Sequence, residues 1–182
     1  MKETTLKIRL FGDLALRKKS VEVKHVAQSH REILSKMSRL MYESSGIGLA
    51  APQVGINEAM IVVDMGSGLY KLINPKIIKR QGSQALEEGC LSVPGVCIRV
   101  KRAKKVLVEA LNDSGKPVKI EAEDLLACVL QHEMDHLKGK LIVDYASFLE
   151  KIKIKRKLLE LKQRYKDEEL PESETKSCKL QL

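Results

Sequence analysis

The plainest chemical capacity in this chain lies in Gln131-His132-Glu133-Met134-Asp135-His136. Two histidines four positions apart sit one above the other on one face of a helix. At that spacing both imidazoles can bind one metal ion, and Glu133 between them can act as general base toward a water that the ion activates. The pattern points to metal-assisted hydrolysis. A motif this short needs support from its surroundings.

The flanking sequence supplies the helix. Leu125, Cys128, Val129, His132 and His136 share one helical face, apolar first and metal-binding after. Glu121, Glu123 and Asp124 load its start with negative charge, which a helix N-terminus favours, and Gly139 is a stop signal.

A catalytic site of the zinc type wants three protein ligands and one open position. No histidine follows His136, so an extended two-histidine-plus-one motif is absent. Glu160 lies downstream, but in a basic helix with the look of a surface element. Cys90 is the better candidate. It stands in Glu87-Glu88-Gly89-Cys90-Leu91-Ser92-Val93-Pro94-Gly95, after a glycine and before a Pro-Gly turn, in a loop able to present a thiolate.

Elements that position these groups follow from periodicity. Val26, His30, Ile33, Met37 and Leu40 recur at helical spacing, with Gly46 as the expected stop. On that stripe His30 reads as a core or boundary residue, and His25 as a surface residue near the helix start. The segment Gly46 to Gly55 is rich in glycine, so it reads as irregular, yet it is apolar, so it is buried or lines a pocket. Strands are expected at Met60–Asp64, Tyr70–Ile73, Lys76–Lys79, Val96–Val100, Val106–Leu111 and Pro117–Glu121, with a turn at Asn112-Asp113-Ser114-Gly115. A last helix spans about 145–166. From Glu150 to Lys166 it holds eight Lys/Arg against two Glu, a net +6. Ile154, Leu158, Leu161 and Tyr165 form one apolar stripe; Phe148, Leu149, Ile152 and Leu159 form a second on the opposite side. One should dock on the body and the other is spare. The order of elements gives an α+β fold. We expect one catalytic domain over residues 1–166 and a frayed polar tail at 167–182.

Three segments, in this order, resemble the signature motifs of the peptide deformylase family: Gly46-Ile47-Gly48-Leu49-Ala50-Ala51-Pro52-Gln53, Glu88-Gly89-Cys90-Leu91-Ser92, and Gln131-His132-Glu133-Met134-Asp135-His136-Leu137. Together with Leu72-Ile73-Asn74-Pro75, the similarity covers roughly residues 6 to 165. The resemblance implies antiparallel or mixed sheets packed around a central metal-binding helix, with an N-terminal helix and a basic C-terminal helix. It implies hydrolytic removal of the formyl group from the initiator methionine of nascent polypeptides, releasing formate. By the same resemblance Cys90, His132 and His136 bind one divalent ion, Fe(II) foremost, with zinc or nickel also fitting such a donor set. Glu133 is then the proton carrier, and the Gln53 side-chain amide and Leu91 backbone N–H donate to the developing oxyanion. Ile47, Gly48, Leu125, Cys128 and Val129 shape the methionine pocket. Cys97 stands where many relatives carry a larger residue such as Arg or Tyr, which suggests an altered preference beyond the methionine. In some bacterial relatives the C-terminal helix docks near the ribosomal exit tunnel, so ribosome contact is an expectation for the basic helix here.

Composition bounds the alternatives. The longest apolar runs fall short of the roughly 20 residues of a membrane span, and Met1 to Thr5 lacks the apolar stretch of a signal peptide. Four cysteines at irregular positions do not form a disulfide framework, so the chain reads as cytoplasmic and reduced. The net charge of +9 suits a polyanionic neighbour, but the absence of Trp and an aromatic content of 3% argue against reading nucleic acid by base stacking. Two rivals stay open at this point. One is an endopeptidase using Glu160 as third ligand. The other is a non-catalytic RNA- or ribosome-binding protein without stoichiometric metal.

Overall fold

The computed structural model describes residues 6–166. The tail expectation for 167–182 lies outside them. Seven strands and three α-helices make up the α+β body. Strands β1 (Gly48–Ala50), β2 (Met60–Asp64), β3 (Leu69–Gln81), β6 (Lys105–Leu111) and β7 (Pro117–Glu123) form one antiparallel sheet in the order β1-β2-β3-β6-β7. Strands β4 (Gln84–Glu88) and β5 (Ile98–Arg102) form a separate antiparallel pair.

Helices cover both faces of the larger sheet. Because β2 is the apolar run Met60-Ile61-Val62-Val63, buried along four residues, it reads as a strand enclosed on two sides. Met60 and Val62 pack with Leu34, Met37 and Met41 of helix α1 (Gln28–Glu43), whereas Ile61 and Val63 pack with Ala127, Leu130 and Met134 of helix α2 (Asp124–His136). Strand β6 alternates in the same way, with Val106, Val108 and Ala110 buried on the α2 side. A third cluster holds Val96, Ile98 and Val100, Leu16 from a 3-10 turn at Leu14–Arg17, and Leu141 and Ile142 near the start of another at Ile142–Tyr145. Helix α2 thus lies between the two sheets, buried almost all round.

Several local expectations are revised. The segment from Gly46 to Gly55 is regular: it forms β1 and a 3-10 turn at Ala51–Val54 that ends on Gly55 at φ 81°. Helix α1 ends through Ser45, whose φ is 55°, while the Gly46 N–H donates to the Met41 carbonyl. Gly46 is needed for closeness instead, since a Cβ there would stand 2.8 Å from Leu91 Cδ1. His30 is a boundary residue that accepts the Ala27 N–H at 2.9 Å and so caps its own helix. Tyr70–Ile73 and Lys76–Lys79 belong to the single strand β3. Pro75 removes a ladder donor, and a bulge between Ile73 and Lys76 absorbs the break. Asn74, at φ 52°, turns its side chain to the Val23 backbone, donating to its carbonyl and accepting its N–H. Strand β4 has no apolar pattern to announce it. It is held by β5, with Glu87 opposite Arg99. Cys97 is disulfide-bonded, and pairing of a cysteine cannot be read from spacing.

The two stripes of helix α3 (Phe148–Lys166) separate as their periodicity requires. Leu161 is fully buried and Ile154 and Leu158 pack beside it, whereas Phe148, Leu149, Ile152 and Leu159 are exposed. Leu161→Ala should therefore lower stability by about 2–5 kcal/mol, and Leu159→Ala by less than about 0.5 kcal/mol. Urea denaturation of both variants checks this; equal losses would mean that α3 is not anchored by that stripe.

Candidate metal centre

The centre is built by register. Helix α2 carries His132, Glu133 and His136; Cys90 follows the end of β4; Gln53 comes from the 3-10 turn after β1. Backbone straps hold the loops together: Arg9 N–H donates to the Gln53 carbonyl at 2.7 Å, and Phe11 N–H to the Ser92 carbonyl at 2.8 Å. Cys90 Sγ lies 3.4 Å from His136 Nε2, and the two Nε2 atoms are 3.2 Å apart. All three ligand atoms fall within 4.8 Å of one another, and all three residues are buried.

These spacings can be tested against coordination geometry. Metal–nitrogen bonds of about 2.0–2.1 Å and a metal–sulfur bond of about 2.3 Å at tetrahedral angles separate two nitrogens by about 3.3 Å and sulfur from nitrogen by about 3.6 Å. The two edges that meet at His136 match that frame. Protonation agrees. Burial lowers the pKa of His136 well below its usual value, leaving neutral imidazole with a lone pair to give. Burial pushes the Cys90 thiol up to about 12, helped by the Glu133 and Glu88 charges. A divalent cation reverses that balance, because a coordinating thiol is deprotonated outright. The residues fit a divalent metal ion.

His132 is oriented from behind. Its Nδ1 lies 2.9 Å from Glu88 Oε2. Burial alone would raise the Glu88 pKa, but hydrogen bonds from Arg102 and His132 and their charges outweigh it and bring it to about 2. An ionised carboxylate only accepts, so Nδ1 carries the proton and Nε2 turns its lone pair to the centre. Arg102 donates through Nε and Nη2 to the two oxygens of Glu88, and through Nη1 to Asp135 Oδ2 at 2.8 Å. Tyr145 donates to the same Asp135 oxygen at 2.6 Å. Gln131 clasps the Ala103 backbone, accepting its N–H at 3.1 Å and donating to its carbonyl at 3.0 Å, which ties α2 to the end of β5.

Glu133 is wholly buried, and among the described residues neither carboxylate oxygen has a hydrogen-bond partner. Burial raises its pKa well above the ordinary value. Gly48 of β1 lies flush against it: a Cβ at Gly48 would run into the carboxylate, with Glu133 Cδ only 2.8 Å away. The Gln53 amide donates to Ser92 Oγ at 3.2 Å and reaches Cys90 Sγ at 3.6 Å, while its oxygen accepts the Ala50 N–H. Leu91 is buried beside α1, Ile47 and Leu125 are half-buried at the edge of the larger core, and Val129 and Cys128 are fully buried within it. The Cys128 thiol faces Glu88 Oε1 at 3.1 Å. Glu160 is spent on Lys157 and Arg164 at the surface, away from the centre, which removes the endopeptidase alternative built on it.

Arg102 and Asp135 received no role from the sequence. The signal was there. Ile98, Val100 and Arg102 alternate inward along β5, and a cation at a core position demands a buried carboxylate.

One buried sulfur and two buried imidazoles placed to fit a single cation, with an unpaired buried carboxylate beside them, are the equipment of a metal-dependent hydrolase. The sequence model of the polypeptide deformylase family matches residues 5–152. Peptide deformylase of Syntrophomonas wolfei subsp. wolfei is 53% identical over 131 residues, which cover 72% of this chain and 86% of that protein. Its counterpart in Pseudoalteromonas translucida is 45% identical over 157 residues, covering 85% and 94%. Among solved structures, a peptide deformylase from Legionella pneumophila superposes with a TM-score of 0.83 at 41% identity, covering 88% of this chain and 96% of that one. One from Synechococcus elongatus in complex with actinonin gives 0.81 at 39% identity, covering 86% and 88%. The chain belongs to the polypeptide deformylase family, and its activity is removal of the N-formyl group from the initiator methionine. No helix among the described residues is long and apolar enough to cross a membrane.

The Glu88–Arg102 pair gives a pH-dependent prediction. Glu88 is depressed in the folded state, so its contribution, about 3 kcal/mol for a shift from 4.5 to about 2, is full above pH 4.5 and lost as pH falls toward 2. Arg102→Met strands the carboxylate and should destabilise by about 3–5 kcal/mol at neutral pH. The deficit should narrow on acidification, because Glu88 can then take a proton. Urea titrations of both proteins from pH 7 to pH 4.5 check this; a constant difference would reject it.

Proposed function

We propose that residues 1–166 act as one catalytic domain, with Cys90, His132 and His136 as the ligands of a single divalent ion. The convergence of these three buried donors is the observation that carries the reading. Fe(II) is the ion we favour, with zinc and nickel as substitutes, since a mixed thiolate–imidazole set serves all three. When bound, the ion supplies Lewis-acid polarisation of the formyl oxygen and a more acidic water.

Glu133 carries the protons. Its dry, partnerless setting raises its basicity, so it takes a proton as water adds to the formyl carbon and returns it to the departing nitrogen. The C–N bond then breaks to formate and a free amine. Gln53 through its side-chain amide and Leu91 through its backbone N–H stabilise the oxyanion formed on the way. The approach of the Gln53 amide to Cys90 Sγ supports this role. Ile47 and Gly48 on one side and Leu125, Val129 and Cys128 on the other form the walls for the methionine side chain. Gly48 also leaves room for Glu133, which any side chain would displace.

The substrates are N-formyl-methionyl nascent polypeptides, and the compartment we propose is the cytoplasm. The basic helix α3, with its exposed Phe148, Leu149, Ile152 and Leu159, is the surface for ribosome contact. No sequence-specific reading of nucleic acid is part of this proposal.

Anaerobic purification, metal analysis and a formate-release assay on a formyl-methionyl peptide test the chemistry together. Glu133→Gln should keep its ion yet lose about 10²–10⁴ in turnover, whereas Cys90→Ala should lose the ion itself. A Cys90→Ala protein with full metal content would reject the ligand assignment. For the surface, replacing Phe148, Ile152 and Leu159 together by serine should weaken co-sedimentation with ribosomes and leave small-peptide turnover intact. Undiminished co-sedimentation would reject the contact.

A further inference from the structure

Cys128 precedes His132 by one helical turn on the same face, a position that reads as apolar pocket wall. Its sulfur has a second neighbour that a hydrocarbon side chain could not use. Cys128 Sγ lies 3.1 Å from Glu88 Oε1, and both residues are fully buried. An ionised carboxylate has no hydrogen to give, so the thiol donates.

Two carboxylate oxygens offer about four acceptor positions. On Glu88, Arg102 Nε and the Cys128 thiol take Oε1; Arg102 Nη2 and His132 Nδ1 take Oε2. Each oxygen therefore has two donors. The Arg102 fork grips both oxygens but leaves one acceptor position of Oε1 open, and the thiol fills it. Without the thiol that position is left unfilled, and the carboxylate can shift within the grip of the guanidinium. The Nδ1–H of His132 then loses its alignment.

We propose that Cys128 is a positioning residue for the metal centre: its S–H caps Glu88 Oε1 and so holds the carboxylate that orients His132. The proposal rests on the reading of His132 as a ligand. Partners of a ligating histidine typically change metal affinity by about 10–100-fold when lost; a thiol acting one step further back belongs at or below the lower end.

The test compares Cys128→Val, of similar volume without a donor, with Cys128→Ser, smaller but able to donate. Both are loaded with zinc and challenged with a chelator. The valine variant should release zinc up to about tenfold faster, and the serine variant at close to the wild-type rate. Cys128→Ala replaces the valine variant should that one not fold. Infrared difference spectra, wild type minus Cys128→Ser, should show the S–H stretch shifted to lower frequency, as donation to a carboxylate requires. Equal zinc release by wild type and valine variant would overturn the proposal. So would serine and valine variants that lose zinc equally fast, since the effect would then be packing alone, or an unshifted S–H band. Wild-type protein that retains no zinc would overturn the ligand reading itself, and is recognised before any variant is compared.

Discussion

Everything at the centre depends on the buried contact between Glu88 and Arg102. Two charges taken out of water are expensive, and their attraction offsets the penalty only when geometry and further hydrogen bonds are good. Here the guanidinium meets both carboxylate oxygens, its third arm reaches Asp135, and Tyr145 completes Asp135. The cluster joins the end of β4, the end of β5 and helix α2. Apolar packing alone would leave their relative rotation loose. A charged fork does not, and the histidine it supports inherits that rigidity.

The same constraint explains why so short a second sheet exists. Strand β4 contributes little core of its own, and its sequence is acidic. Its task is to deliver Glu88 beneath His132 and then Cys90 beside His136, two residues apart. Strand β5 answers with alternation: Ile98 and Val100 secure the pair to the third core cluster, and Arg102 ends the inward row at the carboxylate. Gln131 then locks the strand end to α2 through both hydrogen-bonding groups of Ala103.

Much of this was legible from residue order. Helix α2 with its two histidines, the thiol that joins them, α1, β2, β6, β7 and both stripes of α3 follow from periodicity and residue chemistry. What escaped did so for physical reasons. Strand β4 is made by its partner, because cross-strand charge pairs replace the hydrophobic signal that a window along one segment can detect. Strand β3 reads as two because Pro75 interrupts the local pattern, and the repair, Asn74 bonding to Val23, comes from 51 positions away. The segment after Gly46 looks irregular because glycine marks it as loop, whereas those glycines serve contact: Gly46 against Leu91, and Gly48 against Glu133. Arg102 was missed because charge suggests surface, and only its place in an alternating strand says otherwise. The disulfide at Cys97 leaves no trace in spacing.

Contributions from distant segments also set how the site and the fold depend on each other. Cys90 and His132 belong to different elements, and loop closure between them is unfavourable in an unfolded chain. Neither the thiol nor the imidazoles converge until α2 is seated between the two sheets. A cation bound by this set therefore recognises the native state and stabilises it by mass action. The converse also holds. Burial makes the isolated Cys90 thiol reluctant to ionise and keeps His136 neutral, so the folded protein presents these donors in a poorly solvated setting. In such a setting the field of each donor toward a cation is less screened than in water. The polar cluster around Glu88 carries the cost of this arrangement, and it is the reason a mostly apolar helix can hold a buried carboxylate and two imidazoles on adjoining faces.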